Sequence, residues 1–238
     1  MDVLSGGRLD LGVGRGYRDY EFTGFGISPA EGQDRFDEAM EVLRRARSSE
    51  DRFSHQGRFW TFEDVVVEPR PVQQPHPPLW LGAGSDSSIA RAAREGCRLF
   101  LDQVGTFDLT AQRVATYGTA REEPGLAYSP SDIAVTRALR IAHSADDRER
   151  QLERHMATLT VLAESSSATE GGRPTNSFYS MPEARRETAE ASAILGAPDE
   201  CIERLGTLES NGVEQVLFAG GSLADLRLFA AEVMPAFD

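Results

Sequence analysis

The sequence predicts a parallel α/β fold, a doubly wound sheet or a TIM-type barrel, and three observations carry that prediction. Short apolar runs alternate with stretches of helical periodicity from residue 8 to the end. A strand running into a glycine loop occurs at "LDLGVGRGY" and again at "LWLGAGSDSSIARAA", where the loop opens a helix. The third observation is a count. A full barrel takes roughly 250 residues and eight strand-helix units, whereas these 238 residues yield five strands because two insertions consume chain.

The elements follow in order. Arg8 to Val13 reads as a strand, and no immediate helix is expected in the 15 residues after "GVGRGY". A helix from about Pro29 to Ser48 places Phe36, Met40 and Leu43 on one face, with the carboxylates of residues 31–50 as its solvated face. Residues 52–68 carry aromatic and β-branched residues about a Gln-Gly turn, so a hairpin insertion is expected. Leu79 to Leu81 is the next strand, and Ser, Asp and Ala after Gly84 fit a capped helix start. Then come a strand at Arg98 to Val104, a helix around Leu109 to Tyr117, a strand at Asp132 to Ala142, and a helix around Asp146 to Leu162. Residues 164–189 are polar and aperiodic, which suits a mobile, lid-like excursion; loops of this length are usually functional or disordered. "APDECIERLGTLESNG" gives a helix with Pro198 in its first turn and Gly212 at its stop, followed by the strand "EQVLFA" and a closing helix from Leu223.

Composition narrows the function. The net charge of −13 argues against a nucleic-acid partner, which usually needs a basic patch. No apolar run approaches the roughly 20 residues of a membrane helix, and the N-terminus lacks signal-peptide character, so a cytoplasmic protein of one domain, residues 1–238, is expected. Cys97 and Cys201 lie far apart without a histidine pattern, which suits buried thiols and no metal site. His55, His76, His143 and His155 do not cluster and read as structural or exposed; His143, at a strand end, is the best placed. No Ser-His-Asp order, H-E-x-x-H or P-loop supports a hydrolase or a nucleoside triphosphatase.

Two turns can carry chemistry. In the first, Gly14 and Gly16 flank Arg15 at the C-terminal end of a strand, where α/β folds bind ligands. Arg15 there is either a phosphate contact or a solvated arginine on a common turn. In the second, the hydroxyls of Ser85, Ser87 and Ser88 after Gly84 join the backbone N–H groups of a helix N-terminus, a cup for an anion. The same serines serve equally as a plain helix cap.

"LSGGRLDLGVGRGYRDYEFTGFG", "FWTFEDVVVEPRPVQQPHPPLWLGAGSDSSIARAAREG", "LGAPDECIERLGTLESNGVEQVLF" and "AAEVMPAF" together resemble the bacterial luciferase-like flavin-dependent monooxygenases, in that family's order. The resemblance implies a (β/α)8 TIM barrel, here N-terminally truncated to about five parallel strands because the three strand-helix units that precede the G-R-G strand are lacking. It implies reduced FMN as cosubstrate, or coenzyme F420 in one branch, and it assigns Gly14, Arg15, Gly16, Gly84, Ser85, Ser87 and Ser88 to the cofactor's phosphate end. The aromatic and acidic run "RGYRDYEFTGFG" is closer to the FMN branch. The implied reaction uses reduced flavin and O2 to oxidise a small aldehyde, ketone, alkane or sulfonate beneath a lid at residues 164–189. A flavin reductase as partner and a homo-oligomeric assembly are expected with it. No catalytic acid or base is assigned, and Gly14 stands where luciferase has a reactive cysteine. The alternatives are F420-dependent hydride transfer and a truncated, flavin-binding or inactive relative.

Overall fold

The computed structural model describes residues 1–48, 51–165 and 185–237. The chain forms two compact units, Met1–Trp80 and Leu81–Asp238.

In the first unit, α1 (Asp2–Ser5) ends at Gly6, whose φ of 67° is the left-handed conformation that glycine accepts without strain. The buried Asp2 carboxylate accepts the N–H groups of Val72 and Gln73 at 2.7 and 3.1 Å and the Gln73 side-chain amide at 2.9 Å. That pins the start of the chain to the proline-rich segment. β1 (Leu11–Val13) follows, and the Leu11 N–H donates to the Pro78 carbonyl at 2.9 Å.

Two expectations need correction here. A helix, α2 (Asp19–Gly24), begins soon after the "GVGRGY" turn, with Asp19 and Glu21 in the first turn where the helix dipole favours acidic groups. The second correction concerns α3 (Gly32–Ser48), which buries Met40 as expected but does not leave all its carboxylates in solvent. Glu38, with a side chain only 12% exposed, accepts the N–H groups of Phe59 at 3.0 Å and Trp60 at 2.9 Å and meets His55 Nε2 at 3.1 Å. It therefore ties α3 to the hairpin of β2 (Phe53–Gln56) and β3 (Thr61–Val65), which pair antiparallel with Gln56 opposite Thr61. Gly57 is required there, since a Cβ would overlap the Glu38 carboxylate.

β4 (Leu79–Gly82) closes the first unit and opens the second. The second unit continues through α4 (Asp86–Arg94), β5 (Arg98–Leu101), α5 (Phe107–Glu122), β6 (Ile133–Ile141), α6 (Ala145–Ser165), α7 (Arg185–Ser192), β7 (Ile194–Gly196), α8 (Pro198–Ser210), β8 (Gln215–Ala219) and α9 (Leu223–Leu228). Its sheet is parallel: Leu99 pairs with Ile133, Ala138 with Ala219, and Leu139 with Ile194. β7, three residues long, adds a strand that periodicity did not mark, beside the C-terminal half of β6.

β6 is apolar on both faces because both are covered. Val135, Leu139 and Ile141 pack among Ile89, Val114, Tyr117 and Cys201, while Ala138 on the opposite face joins Leu152, Leu159 and Leu195. Arg137 is the exception, fully buried, with its terminal nitrogens donating to the Asp102 carbonyl at 2.9 Å and the Thr110 hydroxyl at 2.6 Å. Burial pushes its pKa down to about 10. Of the lid-like segment expected at residues 164–189, α7 begins at Arg185; most of the rest lies outside the described residues. Among the described residues no helix is long and apolar enough to cross a membrane.

Candidate functional site

The first glycine turn belongs to the first unit. Gly14, Arg15 and Gly16 are all exposed. Gly16 has a φ of +84°, which explains that glycine by backbone conformation alone. Gly14 is different: its φ is ordinary, and a Cβ would meet nothing within 4 Å, so packing within the protein does not demand glycine. Arg15 Nη1 makes one long contact, 3.4 Å, to Gln33 Oε1, and Gln33 is itself held by Asp37 Oδ1 at 2.7 Å. The guanidinium thus stands in solvent at the N-terminal turn of α3, with donors to offer an anion.

The second turn belongs to the second unit. Ser85 is the N-cap of α4, with extended backbone at φ −92° and ψ 151°. Its N–H donates to Ser88 Oγ at 3.1 Å, its Oγ takes the Ser88 N–H at 3.4 Å, and Ser87 Oγ lies 3.3 Å from Ser85 Oγ. So the plain capping role is built. It does not use up the turn: the first-turn N–H groups of Asp86 and Ser87 precede the intrahelical ladder, and Ser85 and Ser87 are exposed. Asp86 is exposed as well. Gly82, at the end of β4, is exposed with open space where a Cβ would be.

The structure therefore gathers Gly84, Ser85, Ser87 and Ser88 into one turn and Gly14, Arg15 and Gly16 into another. The first offers open backbone beside a permanent cation, and the second offers N–H and hydroxyl donors, both of which suit a phosphate. Both follow the C-terminal ends of strands. A phosphorylated cofactor fits such donors, while Asp86, exposed in the same first turn of α4, is the one carboxylate beside them.

Among the histidines, His55 is buried against Phe62 and Glu38 and is structural. His143 is exposed and lines an open cavity of about 290 Å³ with Ser144, Arg148, Ala197 and Glu200, beyond the ends of β6 and β7. Its position directly after a strand is the signal that marked it. Arg140, near the end of β6, draws no functional reading from the sequence because its strand reads as core, and His155, on α6, reads only as structural or exposed. Among the described residues no cluster of three or more His, Cys, Asp or Glu side chains has the form of a metal site.

Comparison with known proteins agrees with this fold. The family described as luciferase-like monooxygenase matches residues 1–215. The oxygenase component of a flavin-dependent trigonelline monooxygenase from Acinetobacter baylyi is 25% identical over 263 residues, covering 99% of this chain and 69% of that protein. The crystal structure of monooxygenase RslO1 from Streptomyces bottropensis superposes with a TM-score of 0.81 at 26% identity, over 100% of this chain and 71% of that one. An F420-dependent secondary alcohol dehydrogenase shares the fold, with a TM-score of 0.79 at 17% identity over 99% of this chain and 71% of its own. Three further curated relatives are matched over 28%, 42% and 62% of their length.

Proposed function

Because this chain belongs to the luciferase-like monooxygenase family, we propose that it is the oxygenase part of a flavin-dependent monooxygenase, using reduced FMN supplied by a separate reductase to oxidise a small organic substrate. The observation that carries this reading is the serine-capped N-terminus of α4. There the turn Gly84 to Ser88 keeps exposed hydroxyls and first-turn N–H groups at the end of a parallel strand. Ser85, Ser87 and Ser88 would hold phosphate oxygens, and the family resemblance also assigns Arg15 and Gly14, in the first unit, to the cofactor's phosphate end. Bound there, reduced flavin supplies the electrons that activate O2. The protein's own part is to fix the phosphate end, so that the ring is held in one orientation and the substrate meets it at a set place.

FMN is favoured over F420 by the run Tyr17–Phe25 and by the flavin dependence of the trigonelline relative. The test is an anaerobic titration of the 238-residue protein with reduced FMN and, separately, reduced F420, following absorbance, and then admission of O2 with an aldehyde or sulfonate. Saturable FMN binding with oxidised product is the expected result. F420 binding alone would replace this reading by hydride transfer, and FMN binding without product would make the chain a flavin-binding, inactive relative. Light scattering on the same sample reads whether it is the homo-oligomer that the family resemblance implies.

A further inference from the structure

Arg140, near the C-terminal end of β6, and His155, on α6, are polar groups set into the apolar layer between that strand and that helix. Arg140 is half-buried near the C-terminal end of β6. Its Nη1 donates to the Leu139 carbonyl at 3.1 Å, while its buried Nε has no hydrogen-bond partner among the described residues. The guanidinium lies flat against Gly220, after β8: a Cβ there would sit 2.9 Å from Nη1, and the glycine's φ is +76°. His155 is only 1% exposed, and neither ring nitrogen has a hydrogen-bond partner among the described residues. It shares a face of α6 with Leu152 and Leu159, which pack against Ala138. Ala138 and Arg140 share one face of β6, so the imidazole is carried towards the guanidinium's side of the sheet.

A buried imidazole with both nitrogens bare is an expensive way to fill an apolar stripe, as leucine would fill it without the desolvation cost. Burial, and then the Arg140 charge, push its pKa down to about 4, so the ring is neutral near pH 7 and keeps one N–H to donate. Around Arg140 the charges are Asp225, which attracts, and Arg154, which repels, leaving the neighbourhood net positive. Arg140 belongs to the end of the parallel strands where α/β folds bind ligands, and His155 lies on the helix that packs against the same face of β6.

We propose that Arg140 and His155 form the polar end of the substrate site, and that the substrate carries a carboxylate. A carboxylate only accepts hydrogen bonds, so it matches two donor groups at once and balances the extra cation. A neutral carbonyl would take the hydrogen bonds and leave the charge uncompensated. The word substrate rests on the monooxygenase reading above; the preference for a carboxylate does not.

Calorimetric titration with matched pairs tests it: benzoate against benzamide, and hexanoate against hexanamide, on the 238-residue protein. Each acid is expected to bind about tenfold or more tightly than its amide. Arg140→Gln should erase the preference and Arg140→Lys should retain part of it. His155→Leu should weaken the acids severalfold while its thermal midpoint stays at or above wild type, since leucine continues the stripe of Leu152 and Leu159. Equal binding of acid and amide, no saturable binding of either acid up to about 10 mM, or a preference untouched by Arg140→Gln would each overturn the proposal. An FMN titration of the same samples separates the two readings. Loss of FMN binding with the acid preference intact sinks the cofactor assignment alone, and the reverse sinks this inference alone.

Discussion

His155 makes the most direct residue-scale prediction, because its environment opposes its charge. The unfolded chain takes up this proton near pH 6.5, whereas the folded ring resists until about pH 4. Stability should therefore fall as pH drops through that window, by about 3 kcal/mol in all, and level off below it. Urea unfolding at a series of pH values checks this, and His155→Leu should remove the slope; a slope that survives the substitution would assign it elsewhere. Glu38 also works against acid, through a carboxyl. Its pKa is lowered because hydrogen bonds from Trp60, His55 and Phe59 outweigh the largest single influence, burial, which raises it. Its contribution is present above the unfolded value of 4.5 and is lost as pH falls through the lower, folded one. In Glu38→Gln the gap from wild-type stability should close as the buffer is taken from pH 6 towards about pH 3. The two residues also differ in how far the sequence exposed them. His155 interrupts an apolar stripe at 152 and 159, a signal readable from spacing alone. Glu38 sits where helical periodicity puts solvent, and its partners are backbone N–H groups more than twenty residues away, which no local pattern encodes.

At the scale of the element, α4 separates two roles of one hydroxyl. Ser85→Ala removes the cap and should cost about 1 kcal/mol, lowering the thermal midpoint by about 2–4 °C. Ser85→Asp restores a good cap and places a negative charge where phosphate would sit. If the turn holds phosphate, the aspartate variant regains the midpoint and still loses FMN; regaining both would leave Ser85 as a cap and nothing more. Most elements were legible because punctuation and period agreed, as with Pro198 opening α8 and Gly212, at φ +82°, stopping it. β7 was not, since three residues ahead of a helix carry no period, and its strand identity comes from Leu139 and Ile141 beside it. α2 escaped because its six residues follow a glycine turn and make less than two turns of helix.

For the whole molecule, the parallel sheet, the match of residues 1–215 and the superposition on RslO1 agree on the family. The candidate site was legible as two glycine turns after two strands, since strand ends are where such folds bind ligands. What the turns bind was not legible, because the same serines that can hold a phosphate also cap α4, and one exposed arginine resembles any other. The central proposal is that Arg15 contacts the phosphate of FMN, and comparing FMN with riboflavin, its phosphate-free form, tests it most directly. In equilibrium titrations Arg15→Ala should weaken FMN by about tenfold or more and leave riboflavin unchanged, as loss of a charge-assisted contact requires. Equal losses for both ligands, or wild-type affinity for FMN in the variant, would contradict the account.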